Sequence, residues 1–205
     1  NKINYKLKKA ILSMDIEDWY HLDYLKNIQI NNDLNFSMLD GLNNYSNILK
    51  KNNIRSSFFV LGELAITLKN VLRKLCENKH DIGSHGWDHK RPLTLSAVDF
   101  EKDIIKSKKE IEDIIGKEVC GYRAPCFSLD IERLNVVHQT GHLYDSSCMR
   151  CVGHPLYGNL DLHRGPVDVL RPRPRKDERG QGPVLTLDGP DLYLRPVLRP
   201  VVLGD

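Results

Sequence analysis

Short apolar segments alternate with amphipathic ones along the first part of the chain, and this alternation restricts the fold more than any other feature. The run KAILSMDI reads as a strand. SMLDGLNNYSNILKKNN follows, with Met38, Leu39, Leu42, Tyr45, Ile48 and Leu49 at helical spacing before an Asn-rich stop. RSSFFVLG, closed by Gly62, predicts a second strand, ELAITLKNVLRKLCENK a second helix, and HDIGSHG a short strand or strand end. The clearest helix is SAVDFEKDIIKSKKEIEDIIG. Ser96 stands at its N-cap with Asp99 three residues on, Phe100, Ile104, Ile111 and Ile115 mark its buried stripe, and Gly116 ends it. EVCGYRAPCF then supplies a strand running into a Pro-containing loop. Strands that alternate with helices in this order predict an α/β domain with a largely parallel sheet.

In such sheets chemistry gathers at the C-terminal strand ends. The stretch ILSMDIEDWYH places Asp15, Glu17 and Asp18 where the first strand ends. Burying an isolated carboxylate costs several kcal/mol or more, so these groups must be paired, metal-bound or solvated. His85 follows the third strand and His89 lies four residues on, in SHGWDH. On a helical turn that spacing puts both imidazoles on one face, where they can share a divalent ion. Two imidazoles and one carboxylate make an open three-ligand site with room for a water, and a second carboxylate could deprotonate that water. Arg123, in GYRAPCFS, ends the fourth strand. An arginine beside the base would hold it charged and oriented. Pro125 would stiffen the loop, so that a backbone N–H after it could stabilise an oxyanion.

Composition narrows the partners. The 205 residues, with 30 basic and 27 acidic side chains and a formal net charge of +3, are enough for one domain with a core. That near balance gives no support to a nucleic-acid or membrane-surface partner. Apolar runs fall short of a membrane span, and the basic start NKINYKLKKA leads into too few apolar residues for a secretory signal, so a cytoplasmic location is expected. The five cysteines are odd in number and scattered, and the lone C-x-x-C of Cys148 and Cys151 lacks the second pair a structural zinc site needs. Reduced, incidental thiols are the expectation.

Near residue 160 the composition changes. From Arg164 onward there is no Asn, Ile, Phe or Cys, and seven of the ten prolines lie there. We therefore divide the chain into a catalytic domain over 1–160 and an Arg/Pro-rich, mostly loose tail over 161–205.

The ordered motifs ILSMDIEDWYH, SSFFVLGELA, HDIGSHGWDHKRPLTLSAVDFEKDI, GKEVCGYRAPCFSL and YDSSCMRCVGHPLYG resemble the polysaccharide deacetylases with a NodB-homology domain (carbohydrate esterase family 4) over roughly residues 9 to 159. The match is closest to the branch with exopolysaccharide-associated deacetylases, related to allantoinase-like proteins. The resemblance implies a distorted (β/α) barrel, incomplete at its C-terminus if the tail replaces the later strands. It also implies metal-dependent removal of N-acetyl groups from an amino sugar of a polysaccharide or its precursor. Carried over by motif, Asp15 matches the catalytic base and Arg123 the residue that tunes it. His85 and His89 match the metal ligands, with Glu17 or Asp18 as the third; Asp18, the more compact, is favoured. Cys126 matches the backbone oxyanion donor, and Asp145 lies in the motif lining the substrate groove. The implied cofactor is a divalent ion, with zinc favoured, and the implied partner an N-acetylated glycan, with no nucleic acid, no membrane span and the oligomeric state open. The family's late general-acid histidine has no secure match; His163 arrives too soon. Allantoinase-like opening of a cyclic amide and a non-catalytic glycan-binding remnant are the alternatives. Trp19, Tyr20 and Trp87 are candidate sugar-stacking rings.

Overall fold

The computed structural model describes residues 11–25, 38–149 and 153–158. The tail, its boundary near residue 160, His163 and Cys151 lie outside the described residues. Among the described residues, five strands form one parallel sheet in sequential order: β1 (Ser13–Ile16), β2 (Ser57–Val60), β3 (Asp81–Ser84), β4 (Gly121–Tyr122) and β5 (Tyr144–Asp145). The helices between them are α1 (Met38–Lys51), α2 (Gly62–Ala65), α3 (Lys69–Glu77), α4 (Ala97–Ile115) and α5 (Ile131–Gln139). This is the α/β class expected, with strands laid side by side in chain order as in a distorted (β/α) barrel.

The register places the site. Ile16 pairs with Val60, Val60 with Ser84, Ser84 with Tyr122, and Tyr122 with Asp145. The five strands therefore end level, and the residues just beyond them emerge along one rim.

Helix α4 joins two apolar clusters. Its Ile111 packs with Ile16, Phe58, Val60, Leu72 and Ile82, whereas its Phe100 and Ile104 pack with Tyr122, Leu129 and Val137. Its ends are those expected from sequence. The Ser96 hydroxyl accepts from Asp99 N, and Gly116 adopts a left-handed φ of 66°, which suits a residue without Cβ. ELAITLKNVLRKLCENK departs from expectation: Gly62 opens α2 rather than closing a strand, and residues 66–68 form a turn that separates α2 from α3. α5, which we did not anticipate, is capped by Asp130, whose carboxylate accepts from Arg133 N. Among the described residues no helix is long and apolar enough to cross a membrane.

Candidate metal centre

Strand periodicity sorts the first carboxylates. Ile16 is buried in the core, so Asp15 and Glu17, either side of it, share the opposite face and meet the rim. The chain then turns. Asp18 caps the single 3₁₀ turn Trp19–His21: its Oδ1 accepts from Trp19 N at 2.8 Å, and its own N–H donates to His21 Nδ1 at 2.8 Å. The preference for Asp18 as ligand is corrected here, because its carboxylate is engaged with the turn. Glu17 is the carboxylate that meets the histidines.

Glu17 Oε2 lies 2.8 Å from His89 Nε2 and 3.8 Å from His85 Nε2. The three donor atoms lie within 4.8 Å of one another. Both histidines are almost fully buried, but the helical spacing that suggested their pairing is not how they converge. Residues 85–91 form an irregular loop, in which Gly86 (φ 79°) and His89 (φ 59°) are left-handed. Two reversals of backbone twist, rather than one turn of helix, bring the imidazoles together.

The protonation pattern fits a cation. His85 Nδ1 is 2.8 Å from the Arg123 carbonyl, which can only accept, so Nδ1 carries the hydrogen. Burial is the largest influence on His85 and lowers its pKa despite the charges of Asp15 and Glu17. The neutral ring then turns its Nε2 lone pair toward a carboxylate oxygen, an arrangement a positive ion between them stabilises. Burial pushes the Glu17 carboxyl up, but the hydrogen bond from His89 and the electrostatic pull of the neighbouring imidazoles outweigh it and leave its pKa below the ordinary value. Two imidazoles and one carboxylate suit zinc and neighbouring first-row metals and leave further coordination positions open.

Arg123 holds Asp15 beside this group. Its Nη1 donates to Asp15 Oδ1 at 2.7 Å, and its Nη2 donates to Ser13 Oγ and Ser146 Oγ, each at 2.8 Å. The guanidinium lies over the Phe59 ring, 4.2 Å from its centroid. Cys126, at a left-handed φ of 51°, lines the same cavity. Its thiol donates to Asp23 Oδ2 at 3.1 Å, and burial, reinforced by Asp23, pushes its pKa up to about 12, so it is no thiolate nucleophile.

A cavity of about 170 Å³ opens over these groups, lined by Asp15, Glu17, His85, His89 and Cys126 together with aromatic and apolar side chains. Asp145, expected in the substrate groove, is not in the lining. Its carboxylate accepts from Ser147 N and Ser147 Oγ, and Ser147 Oγ in turn accepts from Ala124 N, so it braces the loop after β4. Trp19, Tyr20 and Trp87 are also outside the lining; Trp87 instead lies under Lys106 Nζ, 3.4 Å from its ring centroid. Among the described residues the Phe and Tyr rings lining it are Tyr24, Phe127 and Tyr157. Sequence reasoning missed these and Asp23, for which HLDYL, directly after the first motif, was the available signal.

Known proteins share parts of this sequence and its fold. The chain is 27% identical over 110 residues to a peptidoglycan deacetylase of Helicobacter pylori, covering 54% of this chain and 38% of that one. It is 34% identical over 68 residues to a peptidoglycan-N-acetylglucosamine deacetylase of Listeria monocytogenes, covering 33% of this chain and 15% of that one. The chain thus spans well under half the length of either relative. A crystal structure of a candidate polysaccharide deacetylase from Mycobacterium smegmatis superposes with a TM-score of 0.61 at 21% identity, covering 72% of this chain and 54% of that one, and shares the fold. Residues 38–144, more than half the chain, match the family model described as polysaccharide deacetylase, and with the level strand ends and their convergent side chains they establish that the chain belongs to the polysaccharide deacetylase family.

Proposed function

We propose that this protein is a metal-dependent deacetylase that hydrolyses the N-acetyl group of an amino sugar in a polysaccharide or its precursor. The observation that carries the reading is the convergence of Glu17, His85 and His89 beside an Asp15 fixed by Arg123, all facing one cavity. Family membership supports the acetylated glycan as the substrate class.

Glu17, His85 and His89 would hold a divalent cation, which would supply positive charge to acidify a water and polarise the acetyl carbonyl. Asp15 would take the proton of an attacking water as the water oxygen adds to the carbonyl carbon. Arg123 keeps the Asp15 carboxylate aimed, since its two Nη atoms are anchored at Asp15, Ser13 and Ser146. The Cys126 N–H, presented by a left-handed backbone, is the donor for the developing oxyanion. Collapse breaks the carbon–nitrogen bond, and Asp15 returns its proton to the departing nitrogen. The products are acetate and a free amine.

The test is acetate release from an N-acetylglucosamine oligomer by zinc-loaded protein, beside a cyclic amide as competing substrate. Activity on the oligomer that falls about 10²–10⁴-fold in Asp15→Asn at unchanged zinc content supports the reading. Full activity in that variant overturns the assignment of Asp15. Opening of the cyclic amide instead points to the allantoinase-like alternative, and glycan binding without acetate release to a non-catalytic one.

A further inference from the structure

The buried stripe of α4 contains a polar residue. Phe100, Ile104, Ser107 and Ile111 are its buried side chains, and Ser107, at 0% exposure, stands where an aliphatic residue would pack. A hydroxyl buried in an apolar face is costly unless it is hydrogen-bonded.

Ser107 Oγ donates to the Gly86 carbonyl at 2.8 Å, so its hydrogen is committed there. The Ser84 hydroxyl, 2.8 Å away and equally buried, must then donate to Ser107 Oγ, and Ser84 Oγ accepts from Gly86 N at 3.3 Å. These three bonds close a ring that runs from the Gly86 N–H back to the Gly86 C=O. One turn earlier on α4, Asp103 Oδ2 accepts from Trp87 N at 3.0 Å. The remaining links come from α2: Gly62 N donates to Gly86 O at 2.9 Å, and Glu63 N to Trp87 O at 3.1 Å. Every backbone N–H and C=O of Gly86 and Trp87 is thus bonded. Gly86 is left-handed, with φ 79°, and a Cβ there would crowd Asp103 Oδ2 at 3.1 Å, so a side chain at this position would be strained. Gly86 and Trp87 are the residues that carry the chain from His85 toward His89.

We propose that Ser107 and Asp103, four residues apart on one face of α4, are positioning residues that clamp the Gly86–Trp87 turn and so hold the two imidazoles at metal-binding separation. This inference rests on the reading of Glu17, His85 and His89 as a metal site. An irregular loop has no periodic hydrogen bonding of its own, and this pair, with Ser84 and α2, supplies the rigidity a helix would have provided.

The experiment is calorimetric titration of zinc into metal-free protein, with thermal unfolding measured on the same samples. Ser107→Ala and Asp103→Ala are expected to weaken zinc binding about 10-fold or more, while unfolding stays cooperative. Asp103→Asn, which keeps an acceptor for Trp87 N, is expected to stay within about threefold of the parent. Ile104→Val, a core change elsewhere on α4, should lower the melting temperature and leave affinity unchanged. Where an alanine variant fails to fold, Ser107→Cys, isosteric but a weak donor, carries the test and is expected to bind more weakly. Folded Ser107 and Asp103 variants that bind zinc as the parent does overturn the proposal, as does an Asp103→Asn variant as weak as Asp103→Ala. A parent protein that takes up no zinc overturns the metal reading itself, and this inference with it.

Discussion

Arg123 Nη1 donates to Asp15 Oδ1 at 2.7 Å, joining the end of β4 to the end of β1 across 108 residues of sequence. The Arg123 side chain bonds to Asp15, Ser13 and Ser146, which lie outside the Glu17, His85 and His89 group. Arg123→Ala is therefore expected to reduce acetate release by about 10²-fold and to leave zinc affinity within about threefold. Arg123→Lys should not restore activity, because one ammonium cannot reproduce the fork that reaches Asp15, Ser13 and Ser146 together. Equal losses of activity and zinc affinity would place Arg123 in the metal site instead.

Glu17 and Asp18 separate cleanly in a metal-binding assay. Glu17→Gln removes the charged donor and is expected to weaken zinc binding by at least about 10²-fold with little change in folding of the metal-free protein. Asp18→Ala removes an N-cap, costing about 1 kcal/mol of stability, with zinc affinity nearly preserved. The reverse pattern would return the ligand role to Asp18.

Burial raises the Asp145 carboxyl to about 6, above its ordinary value of 3.8. A folded state that holds this proton more tightly than the unfolded chain loses stability as pH rises from about 4 to about 6. Measured without metal, the parent should show this loss relative to Asp145→Asn, whose side chain does not titrate. Identical pH profiles for the two proteins would show that Asp145 is not so perturbed.

His142 acts in the opposite direction. Burial, with Lys108 adding to it, lowers its pKa to about 3, and its Nδ1 lies 3.0 Å from Thr140 Oγ1. Below about 6.5 the unfolded chain gains a proton that the folded chain refuses, so stability falls as pH drops toward 3. His142→Phe should shift acid unfolding to lower pH, as followed by far-UV circular dichroism. An unshifted midpoint would count against a neutral buried imidazole.

Local signals were legible where they were complete. Ser96 and Gly116 bound α4 because a cap and a left-handed stop act within a few residues of sequence. β4, expected within EVCGYRAPCF, is present at two residues, whereas β5, also two residues, has no such signature and exists through its pairing with β4. The split between α2 and α3 and the presence of α5 also escaped the periodicity argument, which cannot separate a short turn from a continuing helix. His85 and His89 come together by a route other than the helical turn expected, since a loop with two left-handed residues converges them.

By itself the sequence determined the alternation of strand and helix, and with it the rim where Asp15, His85 and Arg123 had to emerge, because hydrophobic period and strand ends are local properties. Only the tertiary structure decided that Glu17 rather than Asp18 meets the imidazoles, that Asp145 braces a loop instead of lining the cavity, and that Ser107 reaches Gly86. Each of those outcomes depends on which backbone polar group lies within hydrogen-bonding distance after the chain has folded, and contacts between residues far apart in sequence leave no trace in spacing or composition.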